Sequence, residues 1–199
     1  MVDELDSDVV INKILNYWFM KKNDFNKWFV KSPETDKYIE QNFSKYINDA
    51  NNFRLEYLKK TPRGCLTLII LYDQFPRNLY RNTFRAYAFD HKALKLTHEL
   101  IVNMRFTGFT PNMIMFALMP LMHTESIKDK EYLISLLQKH QADLKDKDDM
   151  TFTSMIDYTK KHLLILKKYG RYPHRNYAFN RISTEEEKNY LENLETNQF

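Results

Sequence analysis

The sequence predicts an all-α protein, a bundle of about seven to eight antiparallel helices in a single domain. Turn-forming residues are scarce, with 3 Gly and 6 Pro among 199 residues, whereas sheet proteins need many tight turns. Apolar residues recur at helical spacing along most of the chain, and no segment is predicted as a strand. A chain of this length fits one domain, residues 1–199, with a core region over about 8–195.

Proline and glycine mark where the helices begin and end. Ser32-Pro33, Thr61-Pro62 and Thr110-Pro111 each place proline at a first helical position, where its missing N–H is tolerated. The helices that follow the last two starts, about 62–74 and 111–122, are apolar on every side, which is typical of buried central helices. Ser7 or Asp6 can cap a first helix, which carries Val10, Ile14, Tyr17 and Trp18 on one apolar stripe. Further helices are predicted over about 33–51, 84–103, 126–145, 151–169 and 184–194.

The composition excludes several classes of protein. Hydrophobic residues at 43% and charged residues at 28% are ordinary for a globular chain and exclude a disordered one. The longest apolar runs, Leu66–Tyr72 and Met113–Met122, are far shorter than the ~20 residues of a membrane span. Cys65 is the single cysteine, and Met1–Asp6 is acidic, unlike a signal peptide. We therefore expect a cytoplasmic protein with no membrane partner.

The charge pattern argues against nucleic acid as a partner. The net charge of +4 is mild and comes partly from an excess of Lys and Arg over Lys160–Arg181. Nucleic-acid interfaces usually show denser basic patches with exposed aromatic residues. A solvated helix face followed by a loop accounts for this excess more simply.

Polar residues follow the first apolar helix, over Tyr72–Arg81. Asp73 ends that helix at the terminus with partial negative charge, which is unfavourable for a carboxylate unless it is compensated. Arg77 and Arg81 are spaced to lie near Asp73, and Asn78 lies between them. Two interpretations remain open. The arginines neutralise Asp73 and the helix end, or one of them binds an anion while Asp73 orients it.

A second polar segment ends the other apolar helix. Pro120 disrupts this helix, and His123 and Glu125 follow directly after core residues. An imidazole beside a buried carboxylate can serve in general acid–base catalysis, so both residues are candidate catalytic groups. Alternatively, Thr124 or Ser126 begins the next helix and Glu125 merely suits its N-terminus.

The third polar segment, Tyr169–Asn176, is rich in hydrogen-bond donors. Arg171, Arg175 and Asn176 are candidate ligand-binding residues, because arginine can hold carboxylate or phosphate in a bidentate manner. His174 joins His123 as a candidate for proton transfer. His162, one turn from Tyr158 on the preceding helix, is more simply interpreted as a histidine satisfied within the core.

These three segments resemble the signature blocks of domain-of-unknown-function family 924, a mostly bacterial family. The matching strings are Asp73-Gln74-Phe75-Pro76-Arg77-Asn78, Pro120-Leu121-Met122-His123-Thr124-Glu125 and Gly170-Arg171-Tyr172-Pro173-His174-Arg175-Asn176. The resemblance extends from Trp18 to Glu186, nearly the whole chain, with Thr124 and Tyr172 standing where related sequences commonly have Ser and Phe. It implies a tetratricopeptide-like helical fold and no settled activity.

Three functional hypotheses remain open. In the first, the blocks form a pocket for a small anionic molecule, with charge from Arg77, Arg81, Arg171 and Arg175 and an apolar wall from Trp18 and Trp28. Acid–base or hydrolytic chemistry is the default if such a protein is an enzyme, and nothing in the sequence decides whether it is.

The second hypothesis is a tetratricopeptide-like scaffold that binds a protein or peptide, with the polar blocks as internal struts whose arginines and acids pair with each other. The third is a metal-dependent enzyme that uses His123, Glu125, His162 and His174. Their spacing matches no metal motif, so we assign no metal ligand, and the cofactor is unknown.

Overall fold

A computed structural model describes residues 4–19, 25–103, 106–144 and 149–196. Over these residues the chain forms ten α-helices, eight of them with at least eight residues, and no strand. The predicted all-α class is therefore confirmed. The helices are α1 (Glu4–Phe19), α2 (Phe25–Phe29), α3 (Pro33–Asn51), α4 (Pro62–Ile69), α5 (Phe75–Leu79), α6 (Asp90–Val102), α7 (Pro111–His123), α8 (Ile127–Ala142), α9 (Thr151–Tyr169) and α10 (Glu185–Thr196).

The chain divides into two compact units. The first unit consists of Met1–Arg81 and Arg85–Pro120, and the second of Asn82–Phe84 and Leu121–Phe199. The first polar block lies in the first unit, whereas most of the second block and the whole of the third lie in the second unit.

In the first unit, helix starts follow the predicted cap residues. The Ser32 hydroxyl accepts a hydrogen bond from the Thr35 N–H at 3.1 Å, and α3 begins at Pro33. The Thr61 hydroxyl accepts from the Gly64 N–H at 3.0 Å at the start of α4. A Cβ at Gly64 would lie 1.9 Å from the Leu58 carbonyl oxygen, so only glycine fits this close approach.

The predicted helix over 62–74 is buried throughout and is not a uniform α-helix. Every residue from Gly64 to Pro76 is buried. The segment Ile70–Gln74 forms a π-helical turn, in which the Phe75 N–H donates to the Ile70 carbonyl. Pro76 has no N–H, and its ring would crowd the carbonyl four residues earlier in a regular helix. A widened turn just before the proline relieves that conflict.

One predicted boundary was wrong. Helix α6 begins at Asp90 rather than near residue 84, because a left-handed residue, Asn82 (φ 59°), and a 3-10 turn at Phe84–Ala86 precede it. At the other end of the chain, Thr184 and Glu187 form the capping box of α10: the Glu187 N–H donates to the Thr184 hydroxyl at 3.2 Å, and the Thr184 N–H donates to Glu187 Oε2 at 2.8 Å.

The second unit is built on the antiparallel hairpin of α8 and α9. The Ser126 hydroxyl caps α8 by accepting from the Asp129 N–H at 3.2 Å. Leu133 and Leu137 on α8 and Phe152, Met155 and Ile156 on α9 are buried. Helix α9 ends at Gly170 in the left-handed conformation, with φ 70°, as predicted.

Helix α7 is the most apolar segment of the fold, and its residues from Met115 to Met122 are buried. It has 13 residues and contains Pro120 near its end. Among the residues that the structure describes, no helix has both the length and the apolar character needed to cross a bilayer.

Candidate functional site

Arg77 in the first polar block lies between two carboxylates. Its Nη2 atom donates to Asp73 Oδ1 at 3.0 Å and to Asp90 Oδ1 at 2.7 Å. Burial alone would lower the pKa of Arg77, but the charges of Asp73 and Asp90 raise the pKa above its ordinary value. Asp73 is fully buried and also accepts from the Gln74 amide at 2.5 Å. Arg77 therefore neutralises Asp73, as one of the two interpretations expected.

Arg81 pairs with a different acid from the one expected. Its Nε and Nη2 atoms donate to the two oxygens of Asp36 at 3.0 and 2.8 Å, a bidentate ion pair. The Asn78 amide donates to Asp36 Oδ1 at 2.9 Å. This group joins the end of α5 to the first turn of α3. Both arginines of the first block are thus bonded to carboxylates.

Trp18 and Trp28, the expected apolar wall, belong to an aromatic cluster of the first unit. Trp18 is fully buried, with its ring centroid 5.5 Å from those of Phe75 and Phe116. The Trp28 indole N–H donates to the Trp18 carbonyl at 2.9 Å. Trp18 therefore packs as a core residue.

In the second unit, the second and third blocks meet around Tyr172. The Tyr172 hydroxyl donates to the Met122 carbonyl at 2.9 Å, and the Tyr172 N–H donates to Glu125 Oε1 at 2.8 Å. Tyr172 is fully buried. We call the group around it the Tyr172 cluster; its members are His123, Glu125, Lys130, His162, Tyr172, His174, Arg175 and Arg181.

Four nitrogen-bearing side chains surround the Tyr172 ring. The Arg175 guanidinium lies 4.7 Å and the Lys130 ammonium 5.7 Å from the ring centroid. The His162 ring contacts it edge-on at 5.4 Å, and the His174 ring stacks on it at 5.5 Å. Cations are attracted to the face of an aromatic ring, so Tyr172 helps to hold like charges close together.

Glu125 is the acid of the Tyr172 cluster and is already engaged. Arg181 donates to both of its carboxylate oxygens at 2.8 Å. Burial raises the pKa of Glu125. The hydrogen bonds from Arg181 and from the Tyr172 N–H lower this pKa by a larger amount, so the net shift is downward. This carboxylate is ionised at neutral pH. It is therefore better suited to balancing the positive charge of its neighbours than to donating a proton as a general acid.

Lys130 is a buried lysine of α8 whose ammonium reaches the end of α7. It is fully buried, and its ammonium donates to the Leu121 carbonyl at 2.8 Å, the Thr124 carbonyl at 2.6 Å and the Thr124 hydroxyl at 3.0 Å. Burial lowers the pKa of Lys130 to about 7, and the charge of Arg175 adds to the effect. Three donors meet three oxygens, which is the full capacity of an ammonium group.

His162 is half-buried rather than a residue of the core, and its ring contacts the Tyr172 cluster. Its Nδ1 atom is 3.0 Å from the Tyr158 carbonyl oxygen. Burial lowers the pKa of His162, and the charges of Lys130 and Arg175 lower it further. Arg175 itself donates to the His123 carbonyl at 2.8 Å. Of the two predicted proton-transfer histidines, His174 contacts the cluster through its ring, whereas His123 contacts it through its backbone carbonyl.

Arg171 and Asn176 form a separate group around Glu187. Arg171 donates to the two Glu187 oxygens at 2.7 and 2.8 Å and to the Ile182 carbonyl at 2.9 Å. The Asn176 amide donates to Glu187 Oε2 at 3.2 Å. The hydrogen bond from Arg171, with help from the Thr184 N–H, lowers the pKa of Glu187 to about 2. This Glu187 group joins the end of α9 to the first turn of α10.

Five residues that organise these groups were not among the candidates predicted from the sequence: Asp36, Asp90, Lys130, Arg181 and Glu187. Lys130 could have been recognised from the sequence, because its spacing from Leu133 (i+3) and Leu137 (i+7) places it on the apolar face of α8. The others pair with residues far along the chain, so no local pattern marks them. Within the described ranges, no group of three His, Cys, Asp or Glu residues could hold a metal ion.

Comparison with known proteins identifies the family. The family model described as "Bacterial protein of unknown function (DUF924)" matches residues 14–195. A solved structure of a protein of unknown function, ATU0120 from Agrobacterium tumefaciens, is similar, with a TM-score of 0.81 and 27% identity over 94% of this chain and 99% of that chain. No curated protein matches the sequence. The match to the family model covers most of the chain, and the protein therefore belongs to the DUF924 family.

Proposed function

We propose that this protein binds a small oxyanion, a phosphate or carboxylate group, at the Tyr172 cluster. The observation that carries the proposal is the approach of four nitrogen-bearing side chains to one ring, at 4.7 to 5.7 Å. The cluster has one acid, Glu125, and both of its oxygens accept hydrogen bonds from Arg181. Asp129 is a further acid that acts electrostatically on Lys130.

An anion at this position would relieve the repulsion within the cluster. The pKa values of Lys130 and His162 are lowered partly by the charge of Arg175. A bound anion favours the protonated form of both groups, so binding should take up protons and weaken as the pH rises. Groups with perturbed pKa values concentrate at functional sites. If the protein also catalyses a reaction, a histidine of the cluster suits proton transfer better than Glu125.

The test is calorimetric titration of the purified, untagged protein with inorganic phosphate and with acetate near pH 6.5. His174 is exposed, so His174→Gln should keep the fold and weaken binding several-fold. Lys161→Gln is the matched control, since it removes an exposed cation of α9 beside His162 and outside the cluster. Binding that His174→Gln leaves unchanged, or no binding to the unsubstituted protein, would contradict the proposal.

A second candidate function is a tetratricopeptide-like scaffold for a protein or peptide. The observation that favours it is the pairing of arginines with acids, Arg77 with Asp73, Arg81 with Asp36 and Arg171 with Glu187. Such pairs act as internal struts rather than as free donors. Affinity capture from a lysate, followed by a measured dissociation constant for the recovered partner, tests this candidate. A cytoplasmic location is part of both proposals, and cell fractionation tests it.

A further inference from the structure

We infer a second ligand site in the first unit, at a cavity beside the end of α3, and we propose that it takes a short-chain carboxylate. The cavity has a volume of about 70 Å³ and is lined by Ile47, Asn48, Asn51, Tyr80, Arg85 and Phe89. A water molecule requires roughly 10–15 Å³ by the same measure. The cavity therefore accepts roughly five to seven non-hydrogen atoms, which is the size of a small metabolite or its terminal group.

Arg85 supplies the charge at this cavity. Its guanidinium carbon lies 4.1 Å from the centroid of the Tyr80 ring, a cation–π contact that does not use the N–H groups. Within the part of the chain that the structure describes, Arg85 forms no hydrogen bond and no ion pair, unlike Arg77 and Arg81. It is also exposed to solvent, so a ligand can reach it. An arginine fork matches a carboxylate through two parallel hydrogen bonds.

The remaining walls favour a carboxylate with an apolar tail. The Asn48 side chain lines the cavity and, among the described residues, has no hydrogen-bond partner, so its amide can donate to the second carboxylate oxygen. Ile47 and Phe89 provide apolar surface on which a short hydrocarbon chain can pack. Inorganic phosphate has no apolar part and would leave these walls in contact with a strongly hydrated anion.

The helix end beside the cavity does not oppose an anion. Carbonyls at a helix C-terminus carry partial negative charge, but the last carbonyls of α3 are already occupied. The Lys92 ammonium donates to the Asn51 carbonyl at 3.3 Å, and the Tyr72 hydroxyl donates to the Ala50 carbonyl at 2.7 Å. Lys92 thus places a second cation on Asn51, next to the cavity.

The test follows backbone amide resonances during titration of the full chain with butyrate. We expect saturable shift changes at Asn48, Arg85 and Phe89, and none with the uncharged butyramide or with phosphate. Arg85→Gln should weaken butyrate binding at least ~10-fold, since two charge-assisted hydrogen bonds are lost. Ala88→Leu, which fills the cavity from its wall, should abolish binding while leaving Arg85 intact.

Arg54→Gln is the control, because Arg54 is an exposed arginine of the same unit that pairs with Asp49. It should bind butyrate as the unsubstituted chain does, and so should His174→Gln, which separates this site from the Tyr172 cluster. Circular dichroism establishes that each variant is folded. Shifts that do not saturate, equal shifts with butyramide, or full binding by Arg85→Gln would overturn the inference.

Discussion

At the scale of single residues, Lys130 is a charged side chain that is fully buried and bonded to the backbone. Its ammonium bonds to the Leu121 and Thr124 carbonyls. Lys130→Met keeps the hydrocarbon stem but leaves the Thr124 carbonyl without this donor. We expect a loss of about 1–3 kcal/mol in the free energy of unfolding, measured by urea denaturation. Lys128→Met, at an exposed position of the same helix, should change stability by less than about 0.5 kcal/mol. Equal stabilities for the two variants would show that the Lys130 bonds contribute nothing.

The lowered pKa of Lys130 also predicts how stability depends on pH. Its pKa falls from the ordinary 10.5 to about 7 in the folded protein. Between these values the unfolded chain binds more protons than the native one, so this group makes stability rise with pH. The stability difference between the unsubstituted chain and Lys130→Met should therefore grow from pH 7 to pH 9, by on the order of 1–2 kcal/mol. A difference that stays constant or shrinks across a pH series of urea titrations would be inconsistent with a lowered pKa.

At the scale of elements, the Glu187 group holds α10 against the end of α9. Glu187→Gln keeps the shape of the side chain but weakens the hydrogen bonds from Arg171. We expect amide hydrogen exchange in α10 to become roughly 10-fold faster, with α8 unchanged. Glu185→Gln, at an exposed position of the same first turn, is the matched control and should leave exchange unaffected. The same exchange rate in both variants would mean that the carboxylate does not anchor the helix.

Lowering the pH should weaken the attachment of α10 to the end of α9 in the same way. The pKa of Glu187 is lowered from 4.5 to about 2, so its stabilisation is complete above pH 4.5 and is lost as the pH falls from 4.5 towards 2. The protection of α10 amides, measured as exchange relative to the intrinsic rate of an unstructured peptide at each pH, should fall more steeply with acidification in the unsubstituted chain than in Glu187→Gln, which has no carboxylate to titrate at this position.

Helix boundaries show which elements a sequence can predict. The starts of α3, α4 and α7 and the end of α9 were predicted from Pro33, Pro62, Pro111 and Gly170, because caps and breaks are local signals. The start of α6 was not, since Asn82 adopts a left-handed conformation that apolar spacing does not reveal. The π-helical turn before Pro76 was also missed, because it depends on how a fully buried helix accommodates the proline.

The candidate site was less predictable than the fold, because its contacts join residues that are far apart in the sequence. The types of residue in the three polar blocks indicated where charge would gather, but their partners lie far along the sequence. Arg81 meets Asp36 across 45 residues, and Arg181 meets Glu125 across 56. Such pairings follow from how helices pack, and no local spacing encodes them. The expected tetratricopeptide-like arrangement of the helices likewise stays a prediction.

At the scale of the whole molecule, the path of the chain bears on whether it unfolds as one domain. The chain passes three times between the two compact units, after Arg81, Phe84 and Pro120. The last passage lies inside α7, whose residues Leu121–His123 belong to the second unit. Helix formation is cooperative along the chain. If one unit unfolds, the part of α7 in that unit unfolds with it, and the remaining part of the helix in the other unit is destabilised. We therefore propose that residues 1–199 form a single cooperative domain.

Lys130→Met tests this cooperativity, because it destabilises the second unit while both tryptophans report on the first. The chain has 2 Trp, Trp18 and Trp28, and Trp18 is fully buried. In urea, the midpoint followed by tryptophan fluorescence should fall by the same amount as the midpoint followed by far-ultraviolet circular dichroism. If instead the fluorescence midpoint stays in place while circular dichroism gains an earlier step, the units unfold separately and the chain has two domains. Coincident transitions would mean that a buried lysine of α8, bonded to the end of α7, stabilises the fold as far as the aromatic cluster around Trp18.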